Sequence, residues 1–352
     1  MDRMIKVALA LVFSAIVLLV AINMTGTLLG SRLPSRTSNS NNGGNPTVNT
    51  ASGEGESYVD EDGMSINSYE RKTEEDYLEL ESKYDFDSDL YPYFGLLNEE
   101  QKKAYYFIYE AATKLEDGVY IGSCVKVESD EVSDVVNAVY YDHPELFWME
   151  PRFRYTYGRH YMVVTVKLTY NGLADDLPMA KREFEAKANE ILSEVQKDYS
   201  KGLLYQEAKL HDILCAVSTY DSNAEYDQSA YSCIVNGKTV CSGYARAFQY
   251  LMHQMGTPVY YVVGKTYDGG EHAWNLIRIN GKFYNVDVTW DDSIGEKRSD
   301  DVHAYFNITD EAISKTHSRT DMSEKLPECT DDGMTYDKNI GVTVTIDELN
   351  FE

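Results

Sequence analysis

Residues 271–290 constrain the fold of this chain more than any other segment, because they predict a hairpin of fixed register. Two stretches rich in β-branched and aromatic residues flank the dipeptide Asn280-Gly281. That dipeptide favours a two-residue type I′ turn. Such a turn places Ile279 opposite Lys282, and every pair further from the turn follows from that one.

The predicted register puts two polar side chains with acid–base chemistry on one face of the hairpin. Trp274 lies opposite Asp287 and His272 opposite Thr289, so His272 and Asp287 are diagonal neighbours about 7–8 Å apart at Cα. A hydrogen bond between them would select the histidine tautomer and stabilise its imidazolium form. A one-residue slip would separate them. The other face carries an apolar set suited to a core: Ala273, Ile277, Ile279, Tyr284, Val286 and Val288.

A cysteine at the start of a predicted helix offers a nucleophile. Cys241 follows a turn and a short strand and precedes apolar residues at helical spacing. The free amides and positive dipole end of a helix N-terminus favour a thiolate and can donate to an oxyanion. We predict a Cys-His-Asp site of Cys241, His272 and Asp287, with Asp291 and Asp292 as alternative carboxylates. When Cys241 is considered without His272 and Asp287, the alternative interpretation is an inert, buried thiol.

Short motifs at these positions resemble the signature blocks of the transglutaminase-like superfamily. They are Val-Cys-Ser-Gly-Tyr-Ala at 240–245, His-Ala-Trp-Asn at 272–275 and Tyr-Asn-Val-Asp-Val-Thr-Trp-Asp at 284–291, in the family's Cys, His, Asp order. The resemblance extends from about residue 211 to residue 309. His-Pro-Glu-Leu-Phe-Trp at 143–148 also resembles a segment upstream of this domain in bacterial membrane-anchored members.

The resemblance implies an α+β fold with a papain-like, transglutaminase-like core, in which the helix bearing the cysteine packs on an antiparallel sheet. By it, Cys241 matches the nucleophile, His272 the base and Asp287 the orienting acid. The β-sandwich domains and calcium loops of animal transglutaminases are not evident in the sequence. Calcium dependence and protein crosslinking are therefore not carried over.

The N-terminal residues predict a membrane anchor and a tether. Residues 7–22 are an uncharged apolar run preceded by Arg3 and Lys6, and a spanning helix needs about 20 apolar residues. No small-x-small cleavage site follows, so an uncleaved transmembrane signal anchor over residues 1–30 is favoured over a cleaved signal peptide. Residues 31–90 are polar and then acidic, which predicts a disordered tether.

The rest of the chain is divided into two regions. Residues 91–197 are predicted to form an N-terminal α/β accessory region of helices and a hairpin. Residues 198–352 are predicted to form the transglutaminase-like domain. Near its end, a short helix is expected to start at Thr309 and to end near His317, and residues 341–346 predict a last strand.

Charge and cysteine content exclude several functions. The chain has 32 Lys+Arg against 58 Asp+Glu, a net charge of −26, which argues against a nucleic-acid partner. Its five cysteines show no CxxC or CxxH spacing, so neither a zinc site nor a disulfide framework is predicted. We expect no cofactor and no metal.

These observations predict an extracytoplasmic bacterial thiol acyl-transfer enzyme, held in the cell membrane by a single N-terminal span. Its substrate would be a protein or peptide amide, cell-wall-associated material included, and the reaction hydrolysis, as in a cysteine protease, or transamidation, as in a transferase. The alternative is a non-catalytic cell-surface binding module on the same fold.

Overall fold

The computed structural model of this chain describes residues 47–50, 69–292 and 303–340. The predicted anchor over residues 1–30 and the predicted strand at 341–346 lie outside these residues. Within them, no helix combines the length and the apolar character that crossing a membrane requires.

Helices and strands are interspersed along the described chain. The α-helices are α1 (Glu74–Lys83), α2 (Pro92–Leu96), α3 (Glu99–Lys114), α4 (Val132–Asp142), α5 (Leu177–Gln196), α6 (Leu203–Val217), α7 (Cys241–Gln254), α8 (Val288–Asp291), α9 (Asp310–Ile313) and α10 (Tyr336–Asn339). The strands are β1 (Thr47–Thr50), β2 (Gly118–Tyr120), β3 (Met149–Tyr157), β4 (Val163–Tyr170), β5 (Thr219–Tyr220), β6 (Lys238–Thr239), β7 (Val259–Thr266), β8 (Glu271–Ile279), β9 (Lys282–Val286) and β10 (His317–Arg319).

Two four-stranded sheets organise these elements. The upstream sheet has the order β1-β3-β4-β2, and the downstream sheet has the order β10-β7-β8-β9. Every pairing in the downstream sheet is antiparallel, and α7 packs on β7 and β8. This is the predicted α+β arrangement of a cysteine-bearing helix on an antiparallel sheet. A short parallel pair, β5-β6, precedes α7.

The hairpin register predicted from the Asn-Gly turn is confirmed. Ile279 pairs with Lys282, and the ladder continues to Asn275 with Val286. Asn280 and Gly281 both have positive φ, 52° and 78°, as a type I′ turn requires.

The predicted continuation of the second strand to Trp290 is wrong. Strand β9 ends at Val286, and Asp287 caps the one-turn helix α8, its Oδ1 accepting the Trp290 amide at 3.2 Å. An aspartate at this position satisfies an otherwise free helical amide, which competes with strand pairing.

The prediction of a disordered tether up to residue 90 is wrong for its last part. Helix α1 begins with a capping box, in which Thr73 and Asp76 bond reciprocally to each other's backbone amides. Its Tyr77 and Leu80 are buried with Phe86 in the main core. Burial of these three side chains therefore holds this strongly acidic segment in a defined structure. Strand β1, inside the same predicted tether, pairs in parallel with β3.

The main core is continuous across residue 198, the predicted start of the second region. Phe147 packs against Phe184 of α5 and Tyr231, with ring centroids 4.6 and 5.3 Å apart. The predicted boundary itself stays a prediction.

The end of α4 is joined to α7 by hydrogen bonds. Arg246, fully buried on α7, donates to the carbonyl of Tyr140 and, at 3.0 Å, to that of His143. Gln249 donates to the Tyr141 carbonyl at 2.9 Å. These carbonyls lack intrahelical partners at a helix C-terminus, so α7 completes the capping of α4, and the 143–148 segment lies directly behind the cysteine-bearing helix.

Candidate active site

Cys241 is the first residue of α7 and is partly exposed. The first turn of α7 packs tightly on Thr239 and on the loop at residues 227–229. A Cβ added at Gly243 would lie 1.8 Å from Thr239 Oγ1 and 2.8 Å from the Ser229 carbonyl. Only glycine fits there, which explains the Cys-Ser-Gly order and fixes where the thiol emerges.

His272 lies on β8 and contacts the two other predicted site residues. Its Nε2 is 2.8 Å from Asp287 Oδ2, and its ring interacts electrostatically with the Cys241 thiol. Burial alone would lower the pKa of His272. The Asp287 carboxylate and the thiol outweigh that effect and raise the pKa to about 10, so the imidazolium form is favoured at neutral pH.

Asp287 is completely buried, and both of its oxygens accept hydrogen bonds. Oδ1 accepts a hydrogen bond from the Trp290 amide. Oδ2 accepts hydrogen bonds from Nε2 of His272 and, at 3.1 Å, from Nε2 of His317. Burial would raise the pKa of this carboxyl, but the two histidines hold it well below its usual range. The structure thus brings Cys241, His272 and Asp287 together as the sequence predicted.

His317 is a site residue that the sequence analysis missed. The predicted end of the helix near His317 is wrong. Helix α9 ends at Ile313, and His317 is the first residue of β10. Strand β10 pairs with β7 at the sheet edge, which brings the ring to Asp287. No motif or spacing marked this residue; only the sheet order shows it.

Aromatic rings surround the two histidines. Trp274 stacks on His272 with centroids 6.2 Å apart, and Trp290 lies 6.0 Å from His272 and 4.5 Å from His317. Trp274 is 1% exposed and donates to Asn285 Oδ1 at 3.0 Å, so it is a core residue. A Cβ at Gly264 would come within 2.6 Å of its ring.

The two alternative carboxylates bond elsewhere. Asp291 Oδ2 lies 3.1 Å from His211 Nε2, and its Oδ1 accepts the Tyr305 amide at 2.9 Å. Asp292 accepts the Tyr244 hydroxyl. Asp287 is therefore the carboxylate that reaches His272, as the register argument predicted.

A second buried histidine–carboxylate cluster surrounds His211 on α6. Asp212 Oδ1 lies 3.3 Å from His211 Nδ1 and 2.7 Å from His303 Nε2. Burial lowers the pKa of His211, but Asp212 and Asp291 raise it to about 10.

Among the described residues, the donor atoms of His211, Asp212 and His303 lie within 4.8 Å of one another and could hold a divalent metal, and those of His272, Asp287 and His317 lie equally close together. The second set belongs to the thiol site. Imidazole and carboxylate are suitable ligands for such an ion, and Asp291 would then orient His211 from behind.

A family model matches the part of the chain that contains these residues. Residues 185–288 match the family model of the transglutaminase-like superfamily. The chain therefore contains a transglutaminase-like domain, and the resemblance drawn from its motifs is confirmed. The match begins within α5 and includes all three predicted site residues.

Two solved structures are similar to this chain. One is a candidate cysteine protease from Cytophaga hutchinsonii, with 18% identity over 36% of this chain and 51% of that chain, and a TM-score of 0.26. Another is a TGase, with 14% identity over 58% of this chain and 56% of that chain, and a TM-score of 0.28. The chain spans about half the length of these structures. No curated protein is significantly similar to it in sequence.

Proposed function

We propose that this chain is a thiol acyl-transfer enzyme that uses Cys241 as nucleophile, His272 as general base and acid, and Asp287 as the orienting carboxylate. The observation that carries the proposal is the 2.8 Å hydrogen bond between the buried His272 imidazole and the fully buried Asp287 carboxylate, with the partly exposed Cys241 thiol interacting with the same imidazole. The membership of this segment in the transglutaminase-like superfamily supports it.

The reaction begins from an ion pair, in which the thiol proton of Cys241 has already passed to His272 and leaves a thiolate beside the imidazolium. The Cys241 sulfur attacks the carbonyl carbon of an amide, and the free amide at the start of α7 donates to the developing oxyanion. The His272 imidazolium then protonates the leaving nitrogen, and the C–N bond breaks to leave a thioester. Water or a primary amine attacks the thioester, which regenerates the thiol and gives hydrolysis or transamidation.

We also propose that the enzyme works outside the cytoplasm, held by a transmembrane anchor at residues 1–30, with protein or peptide substrates that include cell-wall-associated ones. The run of 16 uncharged residues from Val7 to Ile22, all apolar except Ser14, supports the anchor. We assign no nucleic-acid partner, in keeping with the net charge of −26.

A non-catalytic binding module on the same fold is the second candidate. It is less favoured because a binding cleft has no physical need for a thiol, an imidazole and a buried carboxylate in series. Loss of any one of them would leave a binder unharmed.

The test uses the full chain in detergent micelles, with two reactions measured side by side. One is incorporation of a labelled primary amine into a glutamine-containing protein, and the other is cleavage of a peptide library. Iodoacetamide-sensitive turnover in either assay, absent from Cys241→Ala, supports the proposal. Substrate binding without turnover in both assays would favour the binding module.

A further inference from the structure

We propose that His317 is a positioning residue of this site: it donates a hydrogen bond to Asp287 and thereby fixes the carboxylate that orients His272. The inference rests on the function proposed above. It assigns a role to a side chain that hydrogen-bonds Asp287 and whose ring centroid lies 5.0 Å from that of His272.

The hydrogen atoms in this cluster can be assigned from its geometry. Asp287 Oδ2 lies 2.8 Å from Nε2 of His272 and 3.1 Å from Nε2 of His317. An ionised carboxylate only accepts hydrogen bonds, so Nε2 of each ring must carry its proton. For His272, this leaves Nδ1 as the nitrogen that exchanges a proton with the Cys241 thiol.

The His317 ring is itself held in place on every side. It is 4% exposed, and its Nδ1 lies 2.7 Å from Thr316 Oγ1. The rings of Trp290, Trp274 and Tyr305 lie 4.5, 5.3 and 5.6 Å away. The titratable groups that face it are Asp287, His272 and Tyr305. A ring fixed in this way can fix the carboxylate that it contacts.

Sharing one oxygen between two imidazoles has a predictable effect on the reaction. Each N–H on Oδ2 takes up part of the negative charge of the carboxylate. Removing His317 would leave more of that charge for His272, stabilise its imidazolium and move its titration to higher pH. The carboxylate would also lose one of three donors that hold its orientation, which slows the proton transfers through His272.

The experiment measures the pH dependence of Cys241 alkylation by iodoacetamide, followed by mass spectrometry on the full chain. His317→Phe keeps a ring of similar size but has no donor, whereas His317→Gln keeps an N–H. His253→Phe is the matched control, because it removes the 2.8 Å bond of another histidine to the Val259 carbonyl on the same sheet. Turnover on whichever amide substrate the wild type accepts gives kcat and KM.

We expect His317→Phe to lower kcat about tenfold or more at unchanged KM, which corresponds to the loss of one hydrogen bond to a charged group. We also expect it to move the alkaline limb of the pH–kcat profile to higher pH. His317→Gln should restore most of both, and His253→Phe should change neither. A purely structural role would lower the melting temperature of His317→Phe and leave the alkaline limb in place, which overturns the inference.

Two further results separate this inference from the proposed function. If Cys241 is alkylated at the same rate in His272→Ala as in the wild type, the proposed function is wrong and the inference is wrong with it. If the alkylation rate depends on His272 but not on His317, only the inference fails. Should His317→Phe not fold, ¹⁵N-histidine NMR of the wild type decides. Nε2 of His317 must be protonated, and its signal must shift in Asp287→Asn.

Discussion

Among the described residues, two buried histidine–carboxylate clusters have a cysteine nearby, one around Asp287 and one around His211, and they differ in what surrounds the thiol. Around Asp287, the thiol of Cys241 interacts with the imidazole of His272 and lies at the partly exposed start of α7. Around His211, the nearby thiol is Cys215, one turn further along α6, whose sulfur lies 3.8 Å from the Val288 carbonyl.

The charges around Cys215 have the wrong sign for a nucleophile. Burial raises its pKa well above the usual range, and the carboxylates of Asp292, Asp291 and Asp212 raise it further. Both histidine–carboxylate clusters hold a strongly basic imidazole, but only one presents that imidazole to a sulfur. The charge of the group next to the thiol, more than the residue types in the cluster, therefore determines whether a cysteine can act as a nucleophile.

The largest expected effect separates the two thiols. Cys241→Ala should abolish amide turnover, a loss of about 10⁴-fold or more, because the nucleophile is gone. Cys215→Ala should keep turnover and lose only stability, by roughly 1–2 kcal/mol, since it removes a partly buried sulfur. Steady-state kinetics and thermal melts on both variants check this. Equal loss of turnover in the two would remove the distinction between the clusters.

The next largest effect separates the two carboxylates that bond to histidines. Asp287→Asn should lower kcat by about 10³–10⁴-fold, because an amide supports neither the correct tautomer of His272 nor its imidazolium. Asp291→Asn breaks the bond to His211 instead, and should cost roughly 2–4 kcal/mol of unfolding free energy with kcat within about tenfold of wild type. Denaturant melts and kcat values on both variants test the contrast. Retention of full activity in Asp287→Asn would argue against its assigned role.

The pH dependence should distinguish the two imidazoles. The pKa values of His272 and His211 are both raised to about 10. A raised histidine pKa stabilises the fold below about 6.5, and that contribution is lost as pH rises through about 10. Both histidines therefore contribute to the stability profile, whereas only His272 should set the alkaline limb of turnover, near pH 10. His211→Gln should reduce the dependence of stability on pH and leave the alkaline limb of turnover in place. A shift of that limb in His211→Gln would show that the two clusters are coupled.

The smallest effect concerns a buried acid beside His211. Glu207 is fully buried, with one oxygen accepting the Asn307 amide at 3.0 Å, and burial raises its pKa to about 8. Its ionisation should therefore cost stability as pH rises from about 4.5 through about 8. Glu207→Gln should match the wild type at pH 5 and exceed it at pH 9 by roughly 1–3 kcal/mol. Calorimetry at the two pH values suffices, and a destabilised variant at pH 9 would contradict the assignment.

Local chemistry was enough to predict the central part of the site. The Asn280-Gly281 turn determines the hairpin register as far as Asn275 and Val286, and Asp287, the residue directly after that ladder, lies 2.8 Å from His272. The end of β9 was missed because the same aspartate also caps a helix, and a strand pattern that continues through Asp287 does not reveal the cap.

Long-range geometry accounts for most of what the sequence did not predict. His317 reaches Asp287 only because β10 pairs with the far side of β7, and such a pairing has no local signature. The helix at 74–83 was missed for a different reason. Its acidic composition outweighed a visible capping signal at Thr73 and Asp76 and the apolar residues that anchor it.

The buried guanidinium of Arg246 has a consequence for how this protein can be divided. It lies on the cysteine-bearing helix, yet its acceptors are backbone carbonyls at the end of α4, more than a hundred residues upstream. A fragment trimmed to the family match at 185–288 would keep the charge and lose its acceptors. The smallest unit that can be expressed, swapped into a chimera or inherited as a working module therefore includes α4 and the segment that follows it.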